Sequence, residues 1–126
     1  MAIVGLGTDI VEIVRIEKQL ARSQRLAQRV LTDREFRVFS DHKFPARFLA
    51  KRFAAKEAAV KAIGIGIGNG IGFQDVEVRN LPSGQPELHF YGKFAELCEK
   101  LNITASFISI SDEQRYAMAT VVLEST

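Results

Sequence analysis

Four side chains stand out by type and spacing. Asp9 lies in GLGTDI, just past a glycine-containing strand, while Arg52, Glu57 and Lys61 share the stretch RFAAKEAAVKAIGIGIGNG, residues 52–70. A strand-end aspartate and a mid-helix glutamate together suit one hard divalent cation. Water and phosphate oxygens would complete the octahedral shell of Mg²⁺. Lys61 and Arg52 would then hold phosphate. Each residue also has a plainer use. Glu57 and Lys61 form an i,i+4 pair worth about 0.3–0.5 kcal/mol, among alanines that favour helix. Thr8 or Asp9 caps the helix that follows.

The glycines after Ile63 match neither the P-loop nor the dinucleotide-binding pattern. They are a flexible turn, or they expose backbone N–H groups to a ligand, with Gly64 and Gly66 foremost.

These residues need elements to position them. AIVGLGTDI reads as a first strand, in which Gly5 and Gly7 let another backbone come close. A helix follows from Glu12, with Ile13, Ile16 and Leu20 on one stripe, and it carries on through Arg29. TDRE at residues 32–35 predicts a capping box, with Thr32 as N-cap and Glu35 at N3. Pro45 opens a helix that reaches Ile63, with Gly64 past its end. On that helix Leu49, Phe53, Val60 and Ile63 form a core stripe that includes Lys56. Ala54, Ala55, Ala58 and Ala62 line the back, so the back also packs against something. The strands FQDVEVRN and PELHFYG, the helix KFAELCEKLN, and the strands ITASFISIS and YAMATVVLE complete the chain. The order β-α-α-α-β-β-α-β-β predicts a single α+β domain over 1–126, with a mainly antiparallel sheet packed against helices.

Charge narrows the partner. Residues 1–62 hold 13 Lys/Arg against 7 Asp/Glu, and residues 63–126 hold 4 against 8. Arg15, Lys18, Arg22, Arg25 and Arg29 follow spacings of 3, 4, 3 and 4, so all five fall within about 80° of one helix face. The stripe is a solvated face or a docking surface for an acidic partner, led by Arg15, Arg22 and Arg25. A nucleic-acid-binding module is the rival, but residues 15–29 contain no aromatic side chain for stacking. Binding that needs only low salt would favour that rival.

Composition excludes other classes. Hydrophobic content of 47% and charged content of 25% are those of a globular protein, and no run suits a membrane span. The N-terminus lacks a basic export region, so a cytoplasmic protein is expected. The single cysteine, Cys98, leaves no intrachain disulfide and reads as a core thiol.

GLGTDIVEI, RFAAKEAAVKAIGIGIG and SISDEQRYAMATVV together resemble the short, holo-acyl-carrier-protein synthase type of 4′-phosphopantetheinyl transferase. The F-x-x-K-E-x-x-x-K pattern falls on Phe53, Lys56, Glu57 and Lys61. The resemblance implies transfer of 4′-phosphopantetheine from coenzyme A to a serine of apo-acyl carrier protein, in support of fatty acid biosynthesis. Adenosine 3′,5′-bisphosphate is the other product. By that pattern Asp9 and Glu57 bind Mg²⁺, Lys61 and Arg52 neutralise phosphate, and the segment from Gly64 lines the nucleotide site. Catalysis would fall to Glu57 and Lys61. The base could be Glu57, a water at the metal, or a water held by Asp33 or Glu35. The family's partner is a small acidic protein, and its short members generally form trimers with active sites between subunits. Many relatives carry histidine where this chain has Asp112, which cannot itself support a phosphate.

Overall fold

Where strand β1 (Ala2–Glu12) faces the core it carries Gly5, Gly7, Asp9 and Val11, and the two glycines decide how near a helix can come. A computed structural model describes residues 1–126. After β1 come helices α1 (Ile13–Arg22), α2 (Arg25–Val30), α3 (Asp33–Ser40) and α4 (Pro45–Ile63). A short 3₁₀ turn (Phe73–Asp75) leads into the hairpin β2 (Val76–Asn80) and β3 (Pro86–Phe90). Helix α5 (Gly92–Lys100) and strands β4 (Ile103–Asp112) and β5 (Tyr116–Ser125) follow. All pairings are antiparallel: β1-β5-β4 form one sheet, and β2-β3 a separate ribbon. The chain is α+β, as expected.

Helix α4 is the centre of the core. Ala54, Ala55, Ala58, Ala59 and Ala62 are all buried, as are Leu49, Val60 and Ile63. Its alanine back packs on β1: a Cβ added at Gly7 would stand 1.9 Å from the Ala58 carbonyl oxygen, and one at Gly5 equally close to that of Ala62. Only glycine permits this contact. The inner face of β5 closes the same layer with Ala117, Ala119, Val121 and Leu123. Gly64, at φ 83°, ends the helix in the left-handed conformation, with its N–H bonded to the Val60 and Lys61 carbonyls. Cys98, on α5, lies in this core, and burial pushes its thiol up to about 11.

One expected element is corrected. The first helix does not run unbroken to Arg29: Ser23 is extended, at φ −169° and ψ 171°, and α2 starts afresh at Arg25. The Ser23 hydroxyl accepts the Arg25 N–H at 3.3 Å, a local bond that competes with helix continuation. The break also lets Ile13 and Ile16 of α1 and Ala27 and Val30 of α2 reach the core.

Candidate active site

The tight β1–α4 crossing brings Asp9 to α4. Lys61 Nζ lies 3.0 Å from Asp9 Oδ1 and donates equally closely to the Thr8 carbonyl. Glu57, one turn before Lys61 and half-buried, has its carboxyl raised above the ordinary value. Burial is the main cause and the negative Asp9 the next, opposed by Lys61 and Arg29. The capping alternative for Asp9 fails. Glu12 occupies the N-cap of α1, Asp9 sits within the strand opposite Ala119, and the Thr8 hydroxyl donates to the Ala119 carbonyl.

The negative charge of Asp9 beside Glu57 is one that a cation would relieve. No cluster of three or more His, Cys, Asp or Glu side chains is arranged for a metal. A two-carboxylate set fits Mg²⁺, which keeps water and substrate phosphate in its shell rather than taking an all-protein cage. Beside Asp9 opens a groove of about 520 Å³, walled by Ile10, Val11, Ile16, Leu26 and Phe53, with Arg15 and Arg29 among its charged residues. Arg29 escaped the sequence-based site set. Its guanidinium lies 5.4 Å from the centre of the Phe73 ring, and its charge reaches Glu57. The signal was its place as the last cation of the stripe.

That stripe is divided by the break at Ser23. Arg15, Lys18 and Arg22 stay on α1, while Arg25 and Arg29 stand on α2. All five are exposed, and Arg15 alone forms an ion pair, with Glu12 at 3.3 Å.

Arg52 does not share the face of Glu57 and Lys61. At about 100° per residue it lies about 180° around α4 from Lys61. It is buried, stacks 4.5 Å from the Phe48 ring centre and donates to Asn80 Oδ1 at 2.9 Å. Its Nε has no hydrogen-bond partner and lies 3.8 Å from Glu35. Burial lowers the Arg52 and Lys56 pKa values, against the pull of Glu35. Glu35 closes the expected capping box with Thr32 and also takes Lys56 Nζ at 2.5 Å and the Val78 N–H at 2.8 Å. Those bonds engage both of its oxygens, and Glu35 is a structural hub. Asp33 lines a separate crevice with Gln28, Phe36 and Arg37.

Arg52 borders a second cavity of about 340 Å³ with His42, Arg47, Lys51 and Asn80. Asp112 stands beside it, taking Arg47 Nη1 at 2.7 Å with Lys51 Nζ at 3.5 Å. The Arg47 bond is the main cause holding its carboxyl below the usual range. Gly64 and Gly66 are exposed beyond the end of α4, and a Cβ at either would meet nothing within 4 Å.

The model for the 4′-phosphopantetheinyl transferase superfamily matches residues 5–121. The chain belongs to this family. It is 77% identical to the holo-[acyl-carrier-protein] synthase of Pseudoalteromonas atlantica, over 99% of both chains. Among solved structures, the holo-[acyl-carrier-protein] synthase of Neisseria meningitidis matches with TM-score 0.92 and 37% identity, over 98% of this chain and 100% of that one. The Bacillus anthracis holo-(acyl-carrier-protein) synthase, in complex with CoA (3′,5′-ADP), matches with TM-score 0.84 and 41% identity, over 98% of each. In this phosphopantetheinyl transferase the β1–α4 crossing gathers Asp9, Glu57 and Lys61, and further cations stand across the helix.

Proposed function

We propose that this chain is a holo-acyl-carrier-protein synthase. It transfers 4′-phosphopantetheine from coenzyme A to a serine of apo-acyl carrier protein and releases adenosine 3′,5′-bisphosphate, in the cytoplasm and for fatty acid biosynthesis. The observation that carries the reading is the meeting of Asp9, Glu57 and Lys61 in a chain whose full-length relatives bear that activity in their names. Incubation with apo-acyl carrier protein, coenzyme A and Mg²⁺, read by intact mass, tests it. The carrier should gain one phosphopantetheine, and an unmodified carrier would overturn the proposal.

In this reading Asp9 and Glu57 hold Mg²⁺, and Lys61 faces the same phosphate. When bound, the ion supplies charge stabilisation at the pyrophosphate. Lys61 adds a fixed positive charge, and the Asp9 contact holds that ammonium in place. Burial and Asp9 raise the proton affinity of Glu57 in the metal-free site, a repulsion that a bound cation would offset. The groove floored by Ile16, Leu26 and Phe53 receives the uncharged arm and keeps water from it. Gly64 and Gly66 offer open backbone to the nucleotide.

Because Arg52 lies across α4 from Lys61, one ligand reaches both kinds of residue only if a second copy completes the site. The outer face of the β1-β5-β4 sheet supports such an assembly. Leu6 and Ile10 are 66% and 63% exposed, with Phe107 at 55% and Met118 at 42%. Leu6 lies opposite Val122, and Val122 opposite Phe107, so the patch crosses all three strands. The protein should sediment as a homotrimer at working concentration. A fully active monomer would sink the shared-site arrangement.

The exposed cations suit an acidic carrier. Reversing Arg15, Arg22 and Arg25 together to glutamate should raise the carrier KM by about tenfold or more and spare the coenzyme A KM. The wild-type carrier KM should also rise with salt, since exposed charges are screened over about 8–10 Å. Steady-state kinetics at two salt concentrations, varying each substrate in turn, reads both effects. An unchanged carrier KM in the triple variant would leave these arginines a solvated face.

A further inference from the structure

Asp112 occupies a position that a phosphate would want. The cavity on the Arg52 side of α4 is bordered by four basic side chains, His42, Arg47, Lys51 and Arg52. Arg52 is buried, with Nη2 donating to Asn80 Oδ1 at 2.9 Å and its unpartnered Nε 3.8 Å from Glu35. The only other carboxylate bonded to this set is Glu35, which lies behind Arg52 and is already committed to Lys56 and Val78. Asp112, from the end of β4, reaches Arg47 at 2.7 Å and Lys51 at 3.5 Å and cancels part of their charge.

We infer that Asp112 sets the ligand affinity of this cavity, its carboxylate competing with a phosphate monoester for Arg47 and Lys51. The inference rests on the coenzyme A reading above. Coenzyme A carries a pyrophosphate, which must lie at the reacting centre with Asp9, Glu57 and Lys61, and a separate 3′-monoester. The cavity stands on the far side of α4, so in the shared-site arrangement the cavity of a neighbouring copy meets the same coenzyme A, and the monoester is the group it receives.

Competition and positioning make opposite forecasts, and the geometry decides between them. Arg47 Nη1 also donates to the Glu113 carbonyl at 2.7 Å, so the guanidinium keeps an anchor when the carboxylate is lost. Asparagine at 112 would still offer an oxygen to the same N–H. Negative charge is therefore the one thing only Asp112 supplies, and a bound phosphate must displace it or bear its repulsion. The expected consequence is a weaker grip on both the donor substrate and the bisphosphate product, and hence easier product release.

Calorimetric titration of the full chain with coenzyme A, and with 3′-dephospho-coenzyme A, tests this. Asp112→Asn should tighten coenzyme A binding by about three- to tenfold at low salt, from removing a competing exposed charge pair. The gain should shrink as salt rises. Binding of the 3′-dephospho form should not change. Asp112→Ala, which removes the acceptor as well, should tighten binding in the same direction. Weaker binding in either variant would overturn the inference, since Asp112 would then be positioning the cations. So would equal tightening for both ligands, or no change with coenzyme A. Wild-type protein that binds neither ligand would overturn the coenzyme A reading itself, and the inference with it.

Discussion

Gly7→Ala is expected to lower the melting temperature by about 10 °C and to remove most of the transfer activity. The added methyl would stand 1.9 Å from the Ala58 carbonyl oxygen and 2.6 Å from the Ala62 nitrogen. Both are backbone atoms of a buried helix, so no side chain can swing aside. Overpacking of this kind costs about 1–3 kcal/mol and more where backbone must move. For a domain of this size each kcal/mol shifts the melting temperature by roughly 2–8 °C. Relief requires β1 to part from α4, and that motion carries Asp9 away from Lys61 and Glu57. Gly72→Ala is the control, because a Cβ there meets nothing within 4 Å. Thermal unfolding and the carrier mass assay check both halves. A Gly7→Ala protein with wild-type melting temperature and activity would mean that the close approach does not position Asp9.

That contact was legible in the sequence, because glycine within a strand has few other uses. So were the capping box at Thr32 and both ends of α4, since each is fixed by residues within one or two turns of itself. The break at Ser23 was not. The cations at positions 15 to 29 keep helical spacing across it, and serine alone does not announce a bend. The facing of Arg52 was hidden for another reason. It is five residues from Glu57, and proximity along a helix says nothing about facing unless the wheel is applied to that pair. Lys56 was visible as a charge inside an apolar stripe, but its partner Glu35 is 21 residues away and already had a local duty as a cap residue. Long-range partners of this kind come from tertiary packing. The same holds for Asp112, whose cations Arg47 and Lys51 are more than 60 residues distant in the chain.

Asp9→Asn and Glu57→Gln are expected each to lower kcat/KM for carrier modification by about a thousandfold, while circular dichroism remains unchanged. Both substitutions keep shape and remove charge, so they separate ligation from packing. The stability cost should be small. Asp9 loses one ion pair with the half-exposed Lys61, worth at most about 1 kcal/mol, and Glu57 makes no ion pair within 4 Å. Glu57→Gln should even be neutral or slightly stabilising, because burial and the Asp9 charge disfavour its ionised form. Loss of a fixed charge at the reacting phosphate, by contrast, removes about 10²–10³ in rate for a single electrostatic contact, and more where a metal is lost with it. The two effects therefore point in opposite directions for Glu57, and a merely structural glutamate could not produce that combination. Mg²⁺ titration completes the test. Each variant should need more Mg²⁺ than the wild type for whatever activity remains. Full activity across the titration would remove that residue from the ligand set. Lost activity with a collapsed fold would make it a packing residue instead.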